Sequence, residues 1–169
     1  MELLEALKNR RSIRKYTSEA ISQEDIDTLL HAAMSGPSAA NKRPWDFFVV
    51  TDTAVLEKLR AAGRYTNMAA PLAIVVCGNL SRSLPDHLAQ YWIHDCSAAS
   101  ENILLAATAL GLGAVWCGAY PQDSVQERIS AALGLSDEQI PLNIIFIGHP
   151  DQTQPPRDQY NAEYIHYIK

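Results

Sequence analysis

Cys96-Ser97-Ala98-Ala99-Ser100-Glu101-Asn102-Ile103-Leu104-Leu105-Ala106-Ala107, followed four residues later by Gly111-Leu112-Gly113, is the stretch that decides the architecture. Its helical part is small and apolar on nearly every side, and a helix of that kind belongs in the middle of a domain. Small side chains also let a second backbone approach closely. Gly111 ends the helix as the residue just past its C-terminus, and Ala114 to Gly118 then leads into a turn at Tyr120-Pro121. The order is helix, glycines, strand. A dinucleotide-binding fingerprint requires strand, glycines, helix, so a Rossmann site is set aside.

Outward from this centre, the helix is expected to begin near Pro85 and to end at Leu110, the longest in the chain. Upstream, Leu72-Ala73-Ile74-Val75-Val76-Cys77 is a continuous apolar strand covered on both faces. Phe47 to Val50 is a second strand and Leu142 to Ile147 a third, with the segment after Gly113 as a fourth. Helical spacing marks residues 2–9, Thr53 to Ala62 and Ser124 to Leu133. Ser22-Gln23-Glu24-Asp25 reads as a capping box opening a helix through Ile26, Leu29, Leu30 and Ala33, stopped by Gly36-Pro37. The elements make an α+β or α/β layered domain; strand spacing alone does not settle the topology.

Length and composition fit one domain over 1–169. The chain has 169 residues, 47% hydrophobic and 20% charged, enough for a full core. A net charge of −5 without a broad basic stripe argues against nucleic acid as a partner. No segment is apolar for long enough to span a membrane, and the N-terminus lacks a signal peptide's apolar core. Cys77, Cys96 and Cys117 have no metal-site spacing and read as buried free thiols, so a cytoplasmic protein is expected. After Pro150, Pro155 and Pro156 comes an apolar tail of Tyr160, Tyr164, Ile165, Tyr167 and Ile168, which should pack on a partner subunit.

Against the acidic background, Lys8-Asn9-Arg10-Arg11-Ser12-Ile13-Arg14-Lys15 holds five of the fourteen Lys and Arg residues. Guanidinium forks with an interleaved hydroxyl match phosphate oxygens, so the stretch points to an anion site, with a solvated basic turn after a short helix as the alternative. A second informative segment is the rigid polar loop Ser35-Gly36-Pro37-Ser38-Ala39-Ala40-Asn41-Lys42-Arg43-Pro44-Trp45, suited to close approach of a planar, hydrogen-bonding ligand. Its alternative is a structural loop with Trp45 in the core. Hydrolytic and metal chemistry are poorly supported. No GxSxG occurs, His94 and Asp95 are helix neighbours that diverge, and His87 and His94 share a face but have no third ligand.

Read together with Asn67-Met68-Ala69-Ala70-Pro71, Asp95 through Asn102, and Gly111 through Gly118, these two segments make the chain resemble the short members of the FMN-dependent nitroreductase family over its whole length. The resemblance implies an α+β layered fold with a central, mainly antiparallel sheet flanked by helices, and an intertwined homodimer. Residues 150–169 would be the extension onto the partner. FMN would lie between subunits, with Arg10, Arg11 and Ser12 on its phosphate and ribityl chain and Arg14 near the pyrimidine edge. Pro37, Ser38 and Asn41 would come from the other subunit, and Asn67 would bond to the ring. The backbone of Trp116, Cys117 and Gly118 would lie beside the ring, and Arg157 would contact the phosphate. Gln159 stands where relatives often carry a basic residue, which Arg43 would in part replace. No side chain is expected to act as general acid.

The implied activity is an NADH- or NADPH-dependent oxidoreductase. It would pass hydride through FMN to a small electron-poor acceptor, a nitroaromatic, a quinone or similar, in a ping-pong sequence. A flavin storage or sensing protein, a reductive dehalogenase-like enzyme and a flavin-free phosphate-ester binder are the alternatives.

Overall fold

A computed structural model describes residues 1–169. The helices are α1 (Leu3–Asn9), α2 (Gln23–Met34), α3 (Thr53–Arg60), α4 (Tyr91–Ala109) and α5 (Asp123–Leu133). The strands are β1 (Trp45–Val50), β2 (Leu72–Asn79), β3 (Gly113–Gly118) and β4 (Gln139–Gly148). They form one sheet in the order β1-β2-β4-β3, and every neighbouring pair is antiparallel. The fold is α+β, as the resemblance implied.

The central strands show why the apolar runs carry no alternation. Leu72, Ile74 and Val76 of β2, with Ile145 and Ile147 of β4, face α2 and α4. Ala73, Val75 and Cys77, with Ile144 and Phe146, face the opposite side with residues of α3 and α5. Both faces are therefore covered, and the strands are apolar through their centres apart from the buried Asn143 of β4. Trp92 of α4 lies on β2 so closely that a methyl group at Gly78 would come 2.3 Å from its indole.

The helix ends follow local chemistry. The Ser22 hydroxyl oxygen accepts the Asp25 N–H at 3.1 Å, and Asp52 caps α3 by accepting the Val55 N–H at 2.9 Å. Only half of a capping box forms, because the Asp25 carboxylate takes the Ser22 hydroxyl instead of a backbone N–H. At the end of α4, Gly111 has φ of +77°, the Leu112 N–H donates to the Ala107 carbonyl and the Gly111 N–H to that of Thr108. That pattern is a Schellman cap, and it turns the chain straight into β3. At its other end the helix departs from expectation. Residues Asp86–Gln90 form a separate 3-10 turn, with Asp86 at φ +54°, and α4 starts only at Tyr91. His87 and His94 consequently share no helix face.

Candidate functional site

The basic stretch leaves α1 and crosses the free edge of β3. Ser12 bridges Ala114 in parallel, and the Ile13 N–H donates to the Ala114 carbonyl at 3.0 Å. Gly113 makes this crossing possible: a methyl there would sit 2.6 Å from Ile13 Cγ2. The stretch then pairs with the segment after β4. Tyr16 bridges Pro150, the Thr17 N–H donates to the His149 carbonyl at 2.9 Å, and the Asp151 N–H donates to the Lys15 carbonyl at 2.9 Å. The Tyr16 hydroxyl donates to the carbonyls of Ile13 and Phe146. Burial raises the pKa of that hydroxyl far above the ordinary phenol range, the nearby Cys117 adds to this, and Arg14 opposes it.

This pairing brings the two ends of the sequence together. Arg10, Arg11, Ser12 and Arg14 line one cavity of about 390 Å³ with Arg157, Gln154, Gln159 and Leu7. Arg11 reaches the Pro155 carbonyl, and Gln152 accepts the Arg14 N–H at 3.2 Å. Arg10 is the one member with a carboxylate partner, Glu101 of α4 at 3.5 Å, and both side chains are partly exposed. Such a pair is worth about 0–1 kcal/mol, so an incoming anion can compete with it. Four guanidinium groups converge with one hydroxyl and two amides, while Lys8 and Lys15 stay in solvent. The donor set suits a phosphate group and its polar ester chain.

Beyond Ala114 the edge of β3 is free. Alternation along the strand puts the N–H and C=O groups of Trp116 and Gly118 on the outer edge with those of Ala114, whereas the Ala119 N–H points inward to Leu142. Gly118 is exposed, and nothing lies within 4 Å of where its Cβ would be. Backbone donors beside open space suit the rim of a flat ring. The Trp116 side chain packs on the α4 side of the sheet and Cys117 on the other, where its thiol donates to the Tyr65 carbonyl at 3.1 Å. Burial, partly opposed by Arg14, pushes the Cys117 thiol up to about 11, so it stays protonated at neutral pH.

The remaining predicted residues stand apart from the basic cavity within one chain. Pro37, Ser38 and Asn41 belong to the loop between α2 and β1. Asn67 is exposed and accepts from Arg60 at 3.4 Å. Arg43 lines a different cavity, so within one chain it cannot substitute for a basic residue at Gln159. Sequence reasoning missed Gln152 and Gln154, which no local signal marks, and it missed the role of Asp95. That buried carboxylate accepts the Ala39 N–H at 2.9 Å and so anchors the 37–41 loop. His94, its neighbour, instead packs edge-on against Tyr91. No three His, Cys, Asp or Glu side chains are placed to hold a metal ion, and no helix is long and apolar enough to cross a membrane.

Comparison with known proteins gives a consistent picture. The model of the nitroreductase family matches residues 7–67 and 62–149. A protein of Methanothermobacter thermautotrophicus, provisionally named NADH dehydrogenase/NAD(P)H nitroreductase, is 44% identical over all of this chain and 88% of its own length. An FMN reductase [NAD(P)H] of Bacillus subtilis is 28% identical over 98% of this chain and 73% of its own. Among solved structures, a provisionally named nitroreductase of Desulfovibrio desulfuricans in complex with FMN is 31% identical and has a TM-score of 0.85. That match covers 100% of this chain and 98% of the other.

Proposed function

The chain belongs to the nitroreductase family, and from that premise we propose that it is an FMN-dependent NAD(P)H oxidoreductase acting on a small electron-poor acceptor. The observation that carries the reading is the convergence of Arg10, Arg11, Ser12, Arg14 and Arg157 on one cavity beside the free edge of β3. The relatives named as FMN reductase and NAD(P)H nitroreductase, and the neighbour solved with FMN, support the cofactor and the donor.

The residues present fit the cofactor. Arg10, Arg11, Ser12 and Arg157 supply charge-assisted donors for a phosphate and the start of a ribityl chain. The open space at Gly118 leaves room for a ring against the backbone of Trp116, Cys117 and Gly118. When bound, FMN supplies hydride acceptance and release, and the protein supplies position and electrostatics. Arg14 would hold the pyrimidine edge and offset negative charge there. An outward N–H of β3 would donate to the ring's other rim, and Asn67, which lies outside the basic cavity, would reach the ring only if the ring extends past that cavity. Neutral Cys117 takes no part as a nucleophile, and water furnishes the proton that the acceptor needs. Donor and acceptor would use the same place in turn, a ping-pong sequence.

The single chain is incomplete in this reading. Pro37, Ser38 and Asn41 serve the site of a second copy. The tail covers that copy, which accounts for Tyr160, Tyr164, Tyr167 and Ile168 standing 74%, 79%, 81% and 100% exposed. The test is direct. The purified protein should be a yellow dimer whose flavin bleaches near ~450 nm on mixing with NADH or NADPH and recovers with a quinone or nitroaromatic. A protein that takes up no FMN, or whose flavin is reduced no faster than free FMN, overturns the proposal.

A further inference from the structure

Lys42 and Arg43 are left over once the basic cavity has taken its residues. They line a separate cavity of about 570 Å³ with Arg82, Trp45, Phe47 and Met34. Its one carboxylate, Asp46, is already committed: it accepts from Asn79 and Gln139 at 2.8 Å each and is paired with Arg82. Lys42 and Arg43 have no carboxylate partner. The cavity therefore joins two uncompensated cations to an apolar, partly aromatic wall, in a chain of net charge −5.

The loop that carries them is held in a conformation L side chains resist. Ala40, Asn41 and Arg43 have φ of +49°, +53° and +50°. Hydrogen bonds fix it in place. Asp95 accepts the Ala39 N–H, Ser38 Oγ accepts the Arg43 N–H at 3.0 Å, and Arg82 donates to the carbonyls of Trp45 and Arg43 at 2.8 and 3.5 Å. The backbone that carries the cations is thus set before any ligand arrives, which lowers the ordering cost of binding.

We propose that this cavity receives the phosphorylated adenosine end of the electron donor, with Lys42 and Arg43 on its 2′-phosphate and Trp45, Phe47 and Met34 beside the adenine. The assignment rests on the flavin reading of the 37–41 loop. Arg43 follows Asn41 by two residues, so their Cα atoms are at most about 7.6 Å apart. A donor leaving the ring past that loop meets Lys42 and Arg43 first. A phosphate dianion can engage an ammonium and a guanidinium fork together. NADH lacks that phosphate, so the cavity favours NADPH.

The test uses the FMN-loaded protein and the variant Lys42→Ala with Arg43→Ala, with two readouts. By titration calorimetry the unmodified protein should bind 2′,5′-ADP, and the double variant should bind it about tenfold or more weakly. In steady state the KM for NADPH should rise by a similar factor, while the KM for NADH and the bound-flavin absorbance stay unchanged. Absence of 2′,5′-ADP binding, equal binding by the variant, or an equal loss for both nucleotides overturns the assignment. So does competition by 2′,5′-ADP against the acceptor instead of the donor. If neither nucleotide reduces the flavin of the unmodified protein, the oxidoreductase reading fails, and the calorimetry still judges the cavity.

Discussion

Substituting Gly113 by alanine should separate cofactor binding from folding. The new methyl would lie 2.6 Å from Ile13 Cγ2 and 2.8 Å from Ile13 Cβ. Ordinary contact begins near 3.4 Å, so the basic stretch must withdraw by about 0.8 Å, because a β-branched side chain has no long flexible end to swing aside. Overpacking of this kind costs about 1–3 kcal/mol, and straining the Ile13 N–H to Ala114 bond adds about 0.5–1.5 kcal/mol. For a chain of this size each kcal/mol lowers Tm by about 2–4 °C, so a loss of roughly 2–12 °C is expected from the overpacking alone. The FMN loss should be disproportionate. Arg10, Arg11, Ser12 and Arg14 all ride on the displaced segment, and charge-assisted bonds depend steeply on geometry. Fluorescence titration of FMN should show at least about tenfold weaker binding, about 1.4 kcal/mol. Adding Ile13→Ala removes the Cγ2 atom, so the double variant should recover part of both losses, a non-additivity that a double-mutant cycle measures. Gly113→Ala with unaltered Tm and FMN affinity would refute the docking of the basic stretch on β3 as the source of the site.

Three further outcomes are expected. Arg10→Ala with Ser12→Ala should keep the fold, since the Arg10–Glu101 pair is exposed, yet weaken FMN by about 2–4 kcal/mol, roughly 30- to 1000-fold by fluorescence titration; stoichiometric flavin in that variant would contradict the phosphate assignment. Burial pushes the thiols of Cys96 and Cys117 up to about 12 and about 11 and that of Cys77 higher still. At about pH 8 the native protein should therefore resist iodoacetamide, and all three thiols should react after denaturation; rapid native labelling of Cys117 would overturn its burial beneath β3. Burial pushes the Asp46 carboxyl up, but hydrogen bonds from Gln139, Arg82 and Asn79 together outweigh it, and the net pKa is lowered. Because the folded value lies below the unfolded one, this stabilisation is present above about pH 4 and lost as pH falls through the folded value. Thermal melts should show Asp46→Asn costing stability near neutrality, with the difference narrowing in acid; a constant difference across pH would rule the linkage out.

What could be read from the sequence divides along physical lines. The start of α2 and the end of α4 were legible because their signals are local: Ser22 before an apolar period, and Gly111 where φ must be positive. The beginning of α4 was not, because the bend at Pro85 and Asp86 breaks a pattern whose side chains read as helical throughout. Sheet order was hidden for the opposite reason. Strands β2 and β4 are apolar at nearly every position, so neither face nor neighbour is encoded in alternation. In the site, Arg10, Arg11 and Arg14 announced themselves by charge, with Ser12 as the hydroxyl between them. Gln152 and Gln154 did not, since they are placed by backbone pairing between Tyr16 and Pro150, which has no side-chain signature. Asp95 was weighed as a catalytic carboxylate and set aside. Its use as an anchor for Ala39, 56 positions away, depends on tertiary structure alone.

The contacts of residues 11–17 with residues 149–155 bear on the order in which the cavity is assembled. One wall of the basic cavity is translated first and the other only near residue 159. All four strands of the sheet precede Gln154, Arg157 and Gln159, the residues that face Arg10, Arg11, Ser12 and Arg14 across the cavity. The full donor set of the proposed anion site therefore exists only once residue 159 has been made.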